Sequence, residues 1–310
     1  MKNFLDINKV SKSSLKSIIE DANAMKKGRA EFLNGAPDRQ GFMENFIVGL
    51  LFEKPSTRTR VSFDVGIRQM GGKSMILSSH DLQLQNGESL SDTAKILSLY
   101  LDMLVIRTSD ESKLLELASN ATVPVINGLT NQSHPCQVMA DIMTFEELKG
   151  DIKQKKVAWV GDANNVCTSY VQAAVQFDFT LIIGSPFQFA PDQDLLDWAK
   201  KLGASVKVVS DPNEAVENAD LVVTDTHLSM HNSDLDVNSK LKILRSFQVN
   251  QELMNKAKQD AIFMHCLPAH RDVEVSGDVI DGPQSVILGE ASNRLHVQKA
   301  IMKWCIRESG

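Results

Sequence analysis

The amino-acid sequence predicts an α/β protein with two open parallel-sheet domains, flanking helices, and a C-terminal helix that packs back on the first domain. Short apolar runs alternate with helical stretches along the chain, as they do in consecutive β-α units. The alternation stops near residues 140–155 and restarts at Lys156. Because 310 residues are enough for two domains that each bury a core, we predict domains at 1–145 and 146–310.

The first predicted domain opens with an amphipathic helix over 12–30, because apolar residues recur there at helical spacing behind a serine-rich start. Four strands follow, at the apolar runs 46–51, 74–77, 103–106 and 123–126. Hydroxyl and carboxylate side chains favour the N-cap position of a helix. Four further helices are predicted in this domain. The first begins at Ser56 or Thr57, the second begins at Ser91 or Asp92, the third passes through Leu114, and the fourth runs from Pro135 to Gly150.

The second predicted domain repeats the same alternation of strands and helices. Its strands are expected at 157–160, 181–183, 206–209, 221–223 and 262–264. A helix over 195–202 separates two of them. The last helix, at about 291–310, has apolar residues on the face that we expect to cross back to the first domain.

The composition limits the classes of partner and location. With 43% hydrophobic residues and a net charge of -6, the chain is an ordinary globular protein that should bind neither nucleic acid nor an anionic membrane nonspecifically. The apolar run 46–52 is far too short to span a bilayer, and the first four residues open no signal peptide. We therefore expect a cytoplasmic protein. The four cysteines include no C-x-x-C pair, which predicts reduced thiols and no zinc site.

Polar residues recur just after the predicted strands, where open α/β sheets bind their ligands. They are Ser56, Arg107, His134, Asn165, Asp225 and the pair His265-Cys266. We expect them to share a cleft between the two sheets. Taken singly, His134 could cap or pack, Asp225 could be an N-cap, and Cys266 could be an inert core thiol. His265 has no partner at metal-ligand spacing along the sequence, so no metal is predicted.

The stretch 52–60, Phe-Glu-Lys-Pro-Ser-Thr-Arg-Thr-Arg, predicts an anion site. A helix that begins at its hydroxyl pair offers unpaired N–H groups and a partial positive charge, and Arg58 adds a planar guanidinium that can hold a phosphate with two hydrogen bonds. The alternative is an ordinary capped helix with solvated arginines.

Two stretches are similar to nucleotide-binding motifs, but each lacks a glycine that its motif requires. Gly72-Lys73-Ser74 is similar to the end of a P-loop, but Ile67 stands where that motif needs its first glycine. The turn at Gly161 lacks the second glycine of a dinucleotide fingerprint. We therefore predict no nucleotide cofactor.

Three ordered motifs carry a family resemblance. They are Ser56-Thr57-Arg58-Thr59-Arg60, His134-Pro135-Cys136-Gln137 and His265-Cys266-Leu267-Pro268. In order and spacing they resemble the aspartate/ornithine carbamoyltransferase family, and the resemblance covers nearly the whole chain. Segment 225–230, Asp-Thr-His-Leu-Ser-Met, and the cysteine of the third motif are similar to the members that act on ornithine.

The resemblance implies that the carbamoyl group of carbamoyl phosphate is transferred to the δ-amine of L-ornithine, giving L-citrulline and phosphate. Domain 1–145 would bind carbamoyl phosphate and domain 146–310 would bind ornithine. The family uses no metal or organic cofactor, forms a homotrimer with sites at subunit boundaries, and serves arginine metabolism, here expected in the biosynthetic direction.

The resemblance also implies a set of site residues. The catalytic residues would be Arg58, Arg107, His134 and Cys266. The ligands of carbamoyl phosphate would be Ser56, Thr57, Arg58, Thr59, Gln83, Arg107, His134, Gln137, Cys266, Leu267 and Arg294, with Gln83 supplied by the neighbouring subunit. The ligands of ornithine would be Asn165, Asp225, Ser229 and Met230. Cys266 is a candidate to assist deprotonation of the attacking amine.

The chain departs from the family pattern at three places. His227 stands where a tryptophan is usual, His231 stands where a glycine is usual, and Gln85-Asn86 replaces a form that contains glycine. These departures bear on loop closure and substrate choice more than on the type of reaction.

Three alternatives stay open. An aspartate carbamoyltransferase would typically read His-Pro-Leu-Pro at 265–268 and would need cations where this chain has Asp225. Carbamoyltransferases for N-acylornithine or putrescine are a second alternative, and N-acylornithine lacks the free α-ammonium that this carboxylate would pair with. A non-catalytic binding protein on the same fold would be expected to lose one of the four catalytic residues, all of which are present.

Overall fold

The structure is a computed structural model that describes residues 2–54, 56–78, 88–227 and 236–307. The chain divides into two compact units. One unit comprises Met1–Met143 and Ser292–Gly310, and the other comprises Thr144–Ala291. Each unit contains one parallel sheet with flanking helices, so the predicted fold class is confirmed.

The first unit is a four-stranded parallel sheet of order β2-β1-β3-β4. Its strands are β1 Ile47–Phe52, β2 Lys73–Ser78, β3 Met103–Arg107 and β4 Val125–Leu129. Its helices are α1 Lys12–Lys27, α2 Thr57–Gln69, α3 Leu90–Tyr100 and α4 Glu111–Asn120, followed by α5 Pro135–Lys149, in which the division between the units falls. Strands β1, β3 and β4 are almost wholly buried, which explains why they are continuous apolar runs in the sequence.

The second unit is a five-stranded parallel sheet of order β7-β6-β5-β8-β9. Its strands are β5 Lys156–Val160, β6 Thr180–Gly184, β7 Val206–Val209, β8 Leu221–Thr224 and β9 Ile262–His265. Its helices are α6 Asn165–Phe177, α7 Gln193–Lys201, α8 Pro212–Val216, α9 Val237–Leu244, α10 Gln251–Met254 and α11 Gly277–Ile280, and α12 Ile287–Ile306 begins here. All nine predicted strands are present among the described residues.

Some predicted helix ends were wrong. Helix α3 begins after Ser89, whose hydroxyl accepts a hydrogen bond from the Asp92 N–H at 3.0 Å, so the cap lies two or three residues earlier than expected. Helix α1 ends at Lys27, not at residue 30. Helix α12 begins at Ile287, four residues before the predicted start.

The C-terminal helix α12 packs on the helices of the first unit, as predicted. The side chain of Lys299 is fully buried and its Nζ lies 2.6 Å from Asp38 Oδ2. Lys303 Nζ lies 2.7 Å from Asp21 Oδ1 on α1. The ring of Trp304 meets the ring of Phe4 edge to face, with centroids 6.3 Å apart. Among the helices of the described residues, none has both the length and the apolar character that crossing a bilayer requires.

The turn after β5 requires a glycine at position 161. Gly161 has φ +113°, and a Cβ there would lie 2.6 Å from Nε2 of the buried His227.

We expect Gly161→Ala to lower the free energy of unfolding by about 2–5 kcal/mol, the sum of backbone strain and overpacking. Gly203→Ala is the matched control, because Gly203 has φ +77° but no atom of the described residues lies within 4 Å of its Cβ position. It should cost only about 1–2 kcal/mol. Equal losses in urea unfolding would show that His227 moves aside freely.

Candidate active site

The first unit places its motif residues at the carboxyl ends of neighbouring strands. Ser56 follows β1, Arg107 is the last residue of β3, and His134 lies between β4 and α5. These three strands are adjacent and parallel in the sheet, so their carboxyl ends lie at one edge, where such sheets bind ligands.

The two arginines of the first motif, Arg58 and Arg60, have different environments at the start of α2. Ser56 is the N-cap residue, but within the described first turn its hydroxyl makes no capping hydrogen bond. Thr57 is the first helical residue and is exposed. Arg58 is half-buried and contributes to the positive field at His134, whereas the side chain of Arg60 is exposed. The anion-binding capacity of this turn therefore rests on Arg58 and on the N–H groups of the helix start.

Thr59 joins two arginines that are far apart in the sequence. Its buried hydroxyl oxygen accepts hydrogen bonds from Arg107 Nη1 at 3.2 Å and from Arg294 Nη2 at 2.8 Å. Arg107 ends β3 and Arg294 lies on α12. The hydroxyl therefore holds two guanidinium groups next to the start of α2.

His134 lies in the same cluster and is buried. Its pKa is well below the ordinary value of 6.5, first because of burial and then because of the charges of Arg294, Arg107 and Arg58. Nε2 of the imidazole is 3.4 Å from Arg294 Nη1, and a guanidinium can only donate, so Nε2 accepts and the proton resides on Nδ1. A neutral imidazole surrounded by guanidinium groups can donate one hydrogen bond to a developing negative charge.

Gln137, in the first turn of α5, completes this cluster. Its side-chain oxygen accepts a hydrogen bond from Arg294 Nη1. The structure therefore brings Arg58, Thr59, Arg107, His134, Gln137 and Arg294 together in one unit. This arrangement is a cluster of positive charge with the chemistry to accept a small anion, built on α2, on the end of β3, and on α5 and α12.

In the second unit, Asp225 receives hydrogen bonds from two directions. It follows β8 and is buried. Asn164 Nδ2 donates to Asp225 Oδ2 at 2.7 Å, and the Cys266 thiol donates to Asp225 Oδ1 at 3.1 Å. Asp225 is not an N-cap, because the cap of α9 is Asp236. A buried carboxylate with two donors suits recognition of a ligand ammonium group.

Cys266 differs from the other three cysteines. All four are free thiols, but Cys266 is half-buried and next to a carboxylate, while the others are buried. Burial raises the pKa of Cys136 to about 12 and raises the pKa values of Cys167 and Cys305 as well. Those three thiols are therefore protonated and unreactive at neutral pH.

The structure places Asp225 near His265 and Cys266, a contact that the spacing along the sequence does not indicate. Ligand atoms of Asp225, His265 and Cys266 lie within 4.8 Å of one another, because β8 and β9 are paired strands. The two ring nitrogens of His265 face other groups, however. Nδ1 accepts from the Leu267 N–H at 2.9 Å, and Nε2 faces Glu274 Oε1 at 3.5 Å. The three residues therefore fit a hydrogen-bonded turn better than a metal centre.

The remaining predicted residues have different placements. Asn165 is the half-buried first residue of α6, and Leu267 is half-buried with φ +58°. Gln83, Ser229 and Met230 lie outside the described residues, as do His231 and the pair Gln85-Asn86. His227 is described and buried, and burial lowers its pKa to about 4, so its imidazole is neutral at neutral pH.

Sequence reasoning missed Asn164. Its Oδ1 caps α6 by accepting from the Val166 N–H at 2.9 Å, while its Nδ2 donates to Asp225. The N-cap rule could have found the capping role, since an asparagine stands directly before a predicted helix. The contact with Asp225 spans 61 residues of sequence and has no local signal.

Two family models together match nearly the whole chain. The model described as "Aspartate/ornithine carbamoyltransferase, carbamoyl-P binding domain" matches residues 2–147. The model described as "Aspartate/ornithine carbamoyltransferase, Asp/Orn binding domain" matches residues 153–305.

Individual relatives agree with these models. The chain is 54% identical to an ornithine carbamoyltransferase of Ruegeria pomeroyi over 306 residues. This match covers 99% of this chain and 99% of that protein. It is similar to the solved ornithine carbamoyltransferase of Pyrococcus furiosus, with a TM-score of 0.90, 41% identity, and coverage of 97% of this chain and 96% of that one. It is also similar to a solved anabolic ornithine carbamoyltransferase of Campylobacter jejuni, with a TM-score of 0.89, 35% identity, and coverage of 97% and 98%. The resemblance drawn from the motifs is thereby confirmed, and the chain belongs to the aspartate/ornithine carbamoyltransferase family.

Proposed function

We propose that the protein transfers the carbamoyl group of carbamoyl phosphate to the δ-amine of L-ornithine, giving L-citrulline and phosphate. The observation that carries this proposal is the cluster of Arg58, Arg107 and Arg294 around a neutral His134, which suits a phosphorylated donor. The names of the relatives, ornithine carbamoyltransferase, support ornithine as the acceptor.

In this proposal, residues 1–145 bind the donor together with Arg294 of the C-terminal helix α12. Ser56, Thr57, Arg58 and Thr59 hold the phosphate at the start of α2. Arg107 and His134 donate to the carbamoyl oxygen, where negative charge builds in the tetrahedral transition state. Gln137 and Arg294 complete this set, and Gln83 of a neighbouring subunit, Cys266 and Leu267 are assigned to the donor by resemblance alone.

Residues 146–310 bind the acceptor. Asp225 pairs with the α-ammonium of ornithine, since its carboxylate is buried and aligned by Asn164 and Cys266. Asn165 holds the α-carboxylate. Ser229 and Met230, which lie outside the described residues, are assigned to ornithine by resemblance.

The reaction is a direct displacement at the carbonyl carbon. The lone pair of the δ-nitrogen adds to this carbon to give the tetrahedral species, which collapses as the bond from carbon to the phosphate oxygen breaks. The proton that the nitrogen loses goes to the departing phosphate. The amine must be neutral, although a free alkylammonium has a pKa of about 10.4. Nearby guanidinium groups disfavour a further cation and so favour the neutral amine. Cys266 assists this deprotonation in our proposal. Charge and orientation suffice for such a transfer, so the proposal requires no metal or organic cofactor.

A substrate comparison tests the proposal. Carbamoylated product is measured by a colour assay for ureido groups, with ornithine, N-acetylornithine, putrescine and aspartate in parallel. We expect ornithine to be preferred by at least about 10²-fold in kcat/KM. N-Acetylornithine lacks the α-ammonium that pairs with Asp225, putrescine lacks the α-carboxylate that Asn165 would hold, and aspartate brings a second carboxylate that Asp225 would repel. Preference for another amine would overturn the choice of substrate, and no product with any amine would overturn the activity.

We further propose a homotrimer with sites at subunit boundaries. Strand β2 is an edge strand whose Met75 and Ile76 are exposed, at 47% and 38%. Exposed Val61 on α2 and Leu99 on α3 add apolar surface in the same unit. An apolar edge strand favours association with a second copy. Sedimentation equilibrium should give about 103 kDa, three times the chain mass of 34.3 kDa, and a monomer mass would contradict this.

The proposed setting is cytoplasmic arginine biosynthesis. The solved Campylobacter jejuni relative is described as anabolic, which supports this direction. The gene should restore growth without arginine to a bacterial strain that lacks its own ornithine carbamoyltransferase. Failure to restore growth by an enzyme that is active in vitro would count against the biosynthetic direction.

A further inference from the structure

Asp141 is a buried carboxylate directly behind the donor cluster. It lies on α5, one helical turn after Gln137, and is 2% exposed. Gln137 Nε2 donates to Asp141 Oδ1 at 2.8 Å. Asp141 itself belongs to none of the three motifs from which the donor residues were assigned.

The amide of Gln137 has one orientation that satisfies both neighbours. Arg294 is a guanidinium and only donates, whereas the Asp141 carboxylate only accepts. With Oε1 toward Arg294 and Nε2 toward Asp141, both hydrogen bonds form. The flipped amide would place donor against donor and oxygen against oxygen. Asp141 therefore stabilises the orientation in which Gln137 presents an acceptor to Arg294.

The orientation of the Gln137 amide also affects Arg107, through Arg294 and Thr59. Arg294 Nη1 donates to Gln137, and its Nη2 donates to Thr59 Oγ1 at 2.8 Å. The same hydroxyl accepts from Arg107 at 3.2 Å. The side chains of Asp141, Gln137, Thr59 and Arg294 are all buried, where an unmatched polar group is costly. One carboxylate therefore lies at the end of a hydrogen-bonded chain that sets two guanidinium groups.

We propose that Asp141 is a positioning residue for the donor: it fixes the amide of Gln137 and, through Arg294 and Thr59, the guanidinium groups that face carbamoyl phosphate. The inference rests on the proposed function. It assigns to Asp141 a hydrogen-bond acceptor role, not contact with either substrate.

Steady-state kinetics of two substitutions tests the acceptor role. Asp141→Ala removes the acceptor, and we expect the KM for carbamoyl phosphate to rise by about tenfold or more while the KM for ornithine stays within about twofold. Asp141→Asn keeps an acceptor oxygen and should stay within about threefold of wild type for both substrates. If Asp141→Asn is as impaired as Asp141→Ala, the charge and not the orientation of Gln137 matters, and the inference fails.

Ile142→Ala is the control for general loosening of the helix. Ile142 is the next residue of α5 and is fully buried, but it has no polar atom in its side chain. Its truncation should lower thermal stability without raising the KM for carbamoyl phosphate selectively. A selective rise in this control equal to that of Asp141→Ala would overturn the inference.

A second pair of variants decides the question if Asp141→Ala does not fold. Gln137→Glu places two carboxylates against each other. The double variant Gln137→Glu/Asp141→Asn restores one donor and one acceptor at that contact, with Arg294 still donating to residue 137. We expect the double variant to recover about tenfold in kcat/KM for carbamoyl phosphate over the single variant. No recovery would contradict the inference.

Wild-type enzyme run in the same assays separates the two claims. If it forms no citrulline from ornithine, the proposed function fails. If it forms citrulline but Asp141→Ala has wild-type KM values, the proposed function stands and the positioning role of Asp141 is wrong.

Discussion

Arg58→Gln should lower kcat/KM for carbamoyl phosphate by about 10²–10³-fold, the usual effect of removing a charged group that stabilises a transition state. Arg58 is the half-buried arginine of α2 and contributes to the field that keeps His134 neutral. A glutamine keeps much of the length and the hydrogen-bonding capacity but not the charge. The readout is steady-state citrulline formation at saturating ornithine.

Arg60→Gln is the matched control for this prediction. It makes the same chemical change on the same helix two residues later, where the side chain is exposed. Its kcat/KM should stay within about threefold of wild type, because an exposed charge is screened by solvent. Comparable losses in the two variants would mean that the phosphate is held by the overall charge of the turn and not by Arg58 in particular.

Asp225→Asn should lower kcat/KM for ornithine by about 10²–10³-fold, because the ammonium of ornithine would lose a buried ionic partner. The substitution also leaves one donor unmatched, since Asn164 and Cys266 both donate to this carboxylate. The KM for carbamoyl phosphate should change little. Asp211→Asn, an exposed N-cap of α8 in the same unit, is the matched control and should behave as wild type, since asparagine caps as well as aspartate.

The ratio of two acceptors makes this second prediction specific. N-Acetylornithine has no α-ammonium, so its weak reaction should not depend on the charge at residue 225. The preference for ornithine over N-acetylornithine should therefore collapse in Asp225→Asn, and the colour assay with both amines measures it. An unchanged preference would assign recognition of the α-ammonium to another residue.

Much of the secondary structure was predictable because parallel strands buried on both faces are continuous apolar runs. All nine strands coincide with short, mostly apolar runs, and the buried strands β1, β3 and β4 give the clearest signal. Helix starts were less certain where hydroxyl and carboxylate residues cluster. Ser89, Ser91 and Asp92 are all good caps by residue type, and only the backbone path shows that Ser89 accepts the hydrogen bond.

The sequence alone determined the fold class, the order of the motifs, and the rule that functional side chains follow strand ends, because these depend on local periodicity and on residue type. Only the tertiary structure decided which of two neighbouring arginines belongs to the cluster, that Asn164 aligns Asp225, and that Thr59 joins Arg107 to Arg294. The contact between Thr59 and Arg294 spans 235 residues. Such contacts depend on how helices pack on a sheet, and a pattern that repeats every two or four residues carries no information about them.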